Sequence, residues 1–277
     1  MLFEKKAARN FLVKLICFLL IFVVSCQPSK PTYSRKDIKS AIKNLCKHEF
    51  NIDVKVWEVG DTIWVYLPFV KVLNKERTNF SAEFSEKSNK VMVSLVRIIL
   101  SMDKRPQFYC FVASDIDTGF DFYRVWYVED LKMLAADFIS RGEFFERQGI
   151  LSLEDAKAIG DTQGDHIERH NITLGEFISY LIEQDIERTF TAEKMKEKFK
   201  INELNSKFSH GKIEVSFNIV AKSHEQGLPS PFDVAIKSVK KFLKIYNYPS
   251  EITEVTVTDS ASNKLRFYTI KALREEK

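Results

Sequence analysis

Ile213-Glu214-Val215-Ser216-Phe217-Asn218-Ile219 alternates apolar and polar side chains without a break. Successive side chains of a strand point to opposite faces, so this run predicts a strand with one packed face and one open face. Gly211 stands just before it as a turn residue. A second run, Ile63-Trp64-Val65-Tyr66-Leu67-Pro68-Phe69, follows Gly60-Asp61. There Ile63, Val65, Leu67 and Phe69 share a face, with Trp64 and Tyr66 opposite. Gly60 and Ile63-x-Val65 thus correspond to Gly211 and Ile213-x-Val215.

The flanks of the two runs repeat as well. Before the first lie a helical stripe (Ile38, Ile42, Leu45, Cys46), opened by Ser34-Arg35-Lys36-Asp37 as a capping box, and the strand Ile52, Val54, Val56. After it come a polar loop over 71–88, a helix (Val91, Leu95, Ile98, Ile99, Met102), and strands at Phe108–Ser114 and Phe120–Val128. Around the second run, Thr191 caps a helix reaching Phe199, and a strand spans Ile201–Phe208. Ser230-Pro231-Phe232-Asp233 then starts a helix with cap, proline and acid in their preferred places. Pro249 stops it, and strands at Ile252–Thr258 and Leu265–Ile270 close the chain.

The fold class is therefore α+β: two tandem α-β-β-α-β-β repeats, over 34–129 and 191–277, joined by a helical connector over 130–190. The connector holds the stripe Leu131, Leu134, Ala135, Phe138, Ile139 and capping boxes at Ser152-Leu153-Glu154-Asp155 and Thr173-Leu174-Gly175-Glu176. Its helices are expected to pack on both sheets. Asp115 precedes Phe122-Tyr123 much as Asp259 precedes Phe267-Tyr268, which makes the two Phe-Tyr pairs counterparts. The second spacing is one residue longer, so the turn must absorb a residue if Phe122 and Phe267 are to share a face. In topology the unit resembles the αββαβ ring-building modules of secretion-system lipoproteins.

Residues 1–25 read as an export signal. Lys5, Lys6, Arg9 and Lys14 precede the ten apolar residues Leu15–Val24, a run shorter than the roughly 20 residues a spanning helix needs. Val23-Val24-Ser25-Cys26 resembles the lipobox of bacterial lipoproteins. That resemblance implies cleavage before Cys26, diacylglycerol and palmitate on Cys26, and a membrane as first partner through that lipid. It also implies residence in the cell envelope. Gln27, where inner-membrane members often carry Asp, favours the periplasmic face of an outer membrane in a cell that has one. Residues 26–33, with Pro28 and Pro31, form the lipidated tether.

The chain has 277 residues, 45% hydrophobic, with 42 Lys+Arg against 38 Asp+Glu. Without residues 1–25, which hold four basic residues and Glu4, the balance is 38 against 37. Nothing in that balance points to nucleic acid. Cys46 and Cys110 both lie in apolar company; buried free thiols and a disulfide between them remain open alternatives.

Signals for chemistry are sparse. His166 and His170, at i and i+4, could share a helix face and hold a metal, with Asp161 or Asp165 adding oxygens; the plainer reading is a solvated polar loop. Asp115-x-Asp117-x-Gly119-x-Asp121 lacks the glycine placement and closing glutamate of a calcium loop and reads as a turn. Ser-x-x-Lys occurs at Ser40, Ser101, Ser209 and Ser238 without companion motifs. No cofactor signature is present. The expectation is a lipid-anchored envelope protein with a non-catalytic binding or assembly role and an envelope protein as partner. The alternatives are a metal-dependent envelope hydrolase and a carrier of an apolar ligand.

Overall fold

In the computed structural model, residues 31–76, 78–222 and 227–275 are described. The first unit runs α1 (Ile38–Phe50), β1 (Lys55–Val59), β2 (Thr62–Phe69), α2 (Ala82–Leu100), β3 (Phe108–Asp115) and β4 (Phe120–Tyr127). The connector supplies α3 (Val128–Ala135), α4 (Arg141–Glu146) and β5 (Gly149–Glu154). Then come α5 (Leu174–Thr191), α6 (Glu193–Lys196), β6 (Phe199–Ser209), β7 (Lys212–Ala221), α7 (Pro231–Ile245), β8 (Glu254–Asp259), β9 (Lys264–Thr269) and α8 (Ile270–Glu275). The fold is α+β, and none of the described helices is long and apolar enough to cross a membrane.

The two sheets share one plan. Sheet one has the order β1-β2-β3-β4-β5 and sheet two the order β6-β7-β8-β9. In each, an antiparallel hairpin is followed by a helix, a parallel neighbour and a second antiparallel hairpin. The register matches too: Ile63 pairs with Tyr109 as Ile213 pairs with Val255. Ile63, Val65, Ile213 and Val215 are all buried beneath their unit's helices, as the alternation requires.

The Phe-Tyr correspondence fails. Tyr109 pairs with Trp126, and Val255 with Tyr268, so the register counterpart of Phe267 is Val125. Both hairpin turns span four residues, Ile116–Gly119 and Ser260–Asn263, and in both an aspartate caps the turn, Asp115 and Asp259. The turn absorbs nothing, so the odd spacing puts the side chain on the other face. Phe122 packs on Phe84 of α2, whereas Phe267 is 61% exposed. The units share a topology and a register; these two pairs are not part of it.

The core forms two bodies, one on each side of sheet one. On one side α1 and α2 cover Val65, Phe111 and Phe122. On the other, Trp64, Tyr66, Cys110 and Val112 belong to one core with α5, α7 and Ile213, Val215, Phe217 and Val257 of sheet two. The layers run helices, sheet one, helices, sheet two.

Three local readings change. The connector is not wholly helical: Ser152–Glu154 belong to β5, which adds to sheet one beside β4, and Asp155 caps a short 3-10 turn instead. The helix that opens the second unit is α5, with a complete capping box at Thr173 and Glu176. From Thr191 onward only the four-residue α6 forms before β6 begins at Phe199. Helix α2 starts inside the expected loop, because the Ser81 hydroxyl accepts from the Phe84 amide.

Candidate functional site

The expected site residues divide sharply. The segment around His166 and His170 is irregular, not helical, and the two rings face different partners. His170 lies 5.8 Å from the Trp64 ring centroid, with Nε2 3.5 Å from Glu176. His166 is not solvated: its side chain is 2% exposed. Its Nδ1 lies 2.5 Å from Asp161 Oδ2, and its Nε2 lies 3.2 Å from Asp121 Oδ2 and 3.4 Å from Ser114 Oγ.

The two strand residues come from facing positions on adjacent strands, Ser114 at the end of β3 and Asp121 early in β4. The loop supplies the rest. Asp161 Oδ1 accepts from the amides of Gln163 and Gly164, and Oδ2 accepts from that of His166. Tyr66 donates its hydroxyl to the Asp161 carbonyl, and burial pushes that phenol up to about 12. Gly164 is needed at the closest approach: its φ is +76°, and a Cβ there would sit 2.9 Å from the Tyr66 ring.

Serine, histidine and aspartate in hydrogen-bond sequence invite a nucleophilic reading. Burial and the closer Ser114–Asp121 contact speak against it. Ser114 is fully buried, and its hydroxyl donates to Asp121, not to His166. Burial raises the Asp121 pKa, against the opposing pull of Ser114 and His166. Burial also acts to raise that of Asp161, but the His166 ring and three loop amides hold it well below the usual carboxylate range. The arrangement fastens the connector loop across the back of sheet one. Among the described residues, no group of three His, Cys, Asp or Glu is placed to hold a metal.

Cys46 and Cys110 are free and buried on opposite sides of sheet one, with burial pushing the Cys46 thiol up to about 11. Asp115 closes its turn by accepting from the amides of Asp117 and Thr118. Cys26 and residues 1–25 lie outside the described residues. Between sheet one and α5, a cavity of about 180 Å³ is lined by Trp64, Cys110, Tyr123, His170 and Tyr180, below the roughly 300–1,000 Å³ of ordinary ligand sites.

The repeats are expected to offer partners similar surfaces or sheet edges, and the structure locates one such edge. In sheet one, β5 pairs along the outer edge of β4, from Phe120 with Glu154 to Val125 with Gly149. In sheet two the equivalent edge belongs to β9, which among the described residues pairs only with β8. Its outward Leu265 and Phe267 are 51% and 61% exposed, whereas their register counterparts Tyr123 and Val125 pack against α5 and the connector. Such an edge offers unpaired amides and carbonyls together with apolar side chains. The strand that fills the first edge comes from the connector, whereas among the described residues β9 is followed by the helix α8. No protein-family model, curated protein or solved structure matches the chain.

Proposed function

We propose that this chain is a lipid-anchored envelope protein with a non-catalytic binding or assembly role, and that it takes an extended strand of a partner protein along β9. The observation that carries the reading is the contrast of edges: among the described residues β5 pairs along β4, and no strand pairs along the outer edge of β9. Strand addition uses main-chain hydrogen bonds for affinity and alternate side chains for specificity. Leu265 and Phe267 are the alternate side chains available on this edge. The anchor rests on the sequence through Cys26, which tethers the body to a membrane without embedding it.

A photo-cross-linking residue in place of Leu265, activated in intact envelopes, should yield one adduct through an extended segment of a second protein. The double substitution Leu265→Lys and Phe267→Lys should abolish that adduct while leaving the fold intact. An adduct that survives both lysines, or no adduct at Leu265, overturns the strand-addition reading. Separately, Cys26→Ser should abolish lipid labelling; an unmodified mature N-terminus at another residue overturns the anchor.

A further inference from the structure

On the helix-covered face of sheet one, β4 presents Phe122, Arg124 and Trp126 in a row. An arginine in the middle of an aromatic row is unusual, and its partners are poor. Its guanidinium carbon lies 5.5 Å from both the Phe122 and the Trp126 ring centroids. Its Nη1 donates to Met92 Sδ at 3.3 Å, a weak acceptor. Its Nε is sealed from solvent without a partner, and among the described residues no carboxylate pairs with it. Burial draws its pKa below the ordinary value for arginine.

Two further groups beside it are in the same condition. Trp126 is 3% exposed and Gln148 is 2% exposed, yet among the described residues Trp126 Nε1 and Gln148 Oε1 have no hydrogen-bond partner. Buried polar atoms are almost always paired, so three orphans in one place ask for a ligand. All three residues line a single groove of about 270 Å³. Val93 and Val96 of α2 form one wall, and Phe144 and Phe145 of α4 form the other. The lining contains Arg97 at the mouth, already paired with Glu49 at 2.6 Å, and no Asp or Glu.

We propose that this groove binds a small free carboxylate bearing an apolar group, with the carboxylate on Arg124 and Trp126 Nε1 and the apolar group between α2 and α4. The arginine fork matches a carboxylate in shape as well as charge. Gln148 Oε1 is the acceptor for a hydroxyl or amine on the same molecule. The site is separate from the β9 edge and does not depend on strand addition.

Octanoate, octanol and octylammonium are suitable probes, because they share a tail and differ in head charge. The chain has three tryptophans, Trp57, Trp64 and Trp126, so a ¹⁵N spectrum of the full mature chain resolves three indole N–H signals; Trp126→Phe identifies the relevant one. Octanoate should move the Trp126 signal saturably, octanol at least tenfold more weakly, and octylammonium not at all. Octanol equal to octanoate, or octanoate moving Trp57 or Trp64 while Trp126 stays still, overturns the site. Arg124→Met supplies a second reading: it should remove the preference for octanoate and leave the melting temperature unchanged or higher. If the variant does not fold, the three probes on the native chain decide: a preference for octanoate at Trp126 supports the site, and its absence overturns it.

Discussion

The far faces of the two sheets make the most instructive comparison in the molecule. Both sheets bury one face beneath their own helices. On the far face of sheet one, Trp64, Tyr66, Cys110 and Val112 are buried in the core that α5 and the connector loop complete. On the far face of sheet two, the corresponding β7 residues are the polar Glu214, Ser216 and Asn218, and they are only half-buried. One strand plan thus serves two roles. Where both faces are covered the strands read as nearly continuous apolar runs; where one is open they alternate. Helix α5 is common to both environments, since it belongs to the second unit and roofs the first.

The largest effect should come from breaking that shared roof. Phe177 of α5 is fully buried against Phe108 and Tyr246. Phe177→Ala should cost about 3–5 kcal/mol, the usual range for emptying a buried phenylalanine site. Phe267→Ala, on the open face, should change stability by no more than about 0.5 kcal/mol. Chemical denaturation of the two variants side by side measures the contrast; equal losses would mean the open face is covered in solution.

A second test concerns the clamp between the units. Asp130 of α3 pairs with Arg147 at 2.9 Å and accepts from the Tyr246 hydroxyl at the end of α7 at 2.7 Å. Both charged side chains are almost wholly buried. Asp130→Ala leaves the buried guanidinium with only the half-exposed Glu143 as counter-charge and should cost about 3 kcal/mol, the low end for breaking a buried pair. Tyr246→Phe removes only the neutral arm and should cost about 1 kcal/mol. If the two losses prove equal, the clamp draws its strength from α7 and not from the buried pair.

The smallest expected effect is a pH dependence of the loop that seals sheet one. Asp161 has a folded pKa held below its unfolded value of roughly 3.9. Its stabilising contribution is therefore complete above about pH 4 and is lost as pH falls toward the folded value. Melting temperature followed from pH 5 to pH 2 should drop less steeply in Asp161→Asn than in the native chain. Parallel slopes would show that the loop is held by Tyr66 and Gly164 packing alone.

Much of the fold could be read from local pattern. The alternation at Ile213–Ile219, the caps at Thr173 and Ser230, and the turns at Gly60 and Gly211 all appear where the chain places them. The Ser152–Asp155 cap did not, because serine, leucine and glutamate also satisfy an edge strand once β4 offers its hydrogen bonds. The pairing of Phe122 with Phe267 failed because a match of residue types says nothing about parity. One residue of spacing inverts a face, and only the paired register reveals it.

By itself, then, the sequence determined which side chains share a face, where helices begin, and that the strand plan recurs, since these depend on periods of two and 3.6 residues along the chain. The tertiary structure decided what covers each face. It placed α5 between the sheets, drew β5 out of the connector onto β4, sank His166 between Asp121 and Asp161, and, among the described residues, left one edge of β9 and the Nε of Arg124 unpaired. Those outcomes join residues tens of positions apart. Local periodicity states that a face needs a cover or that a charge needs a partner; only the packed chain determines which residues supply it.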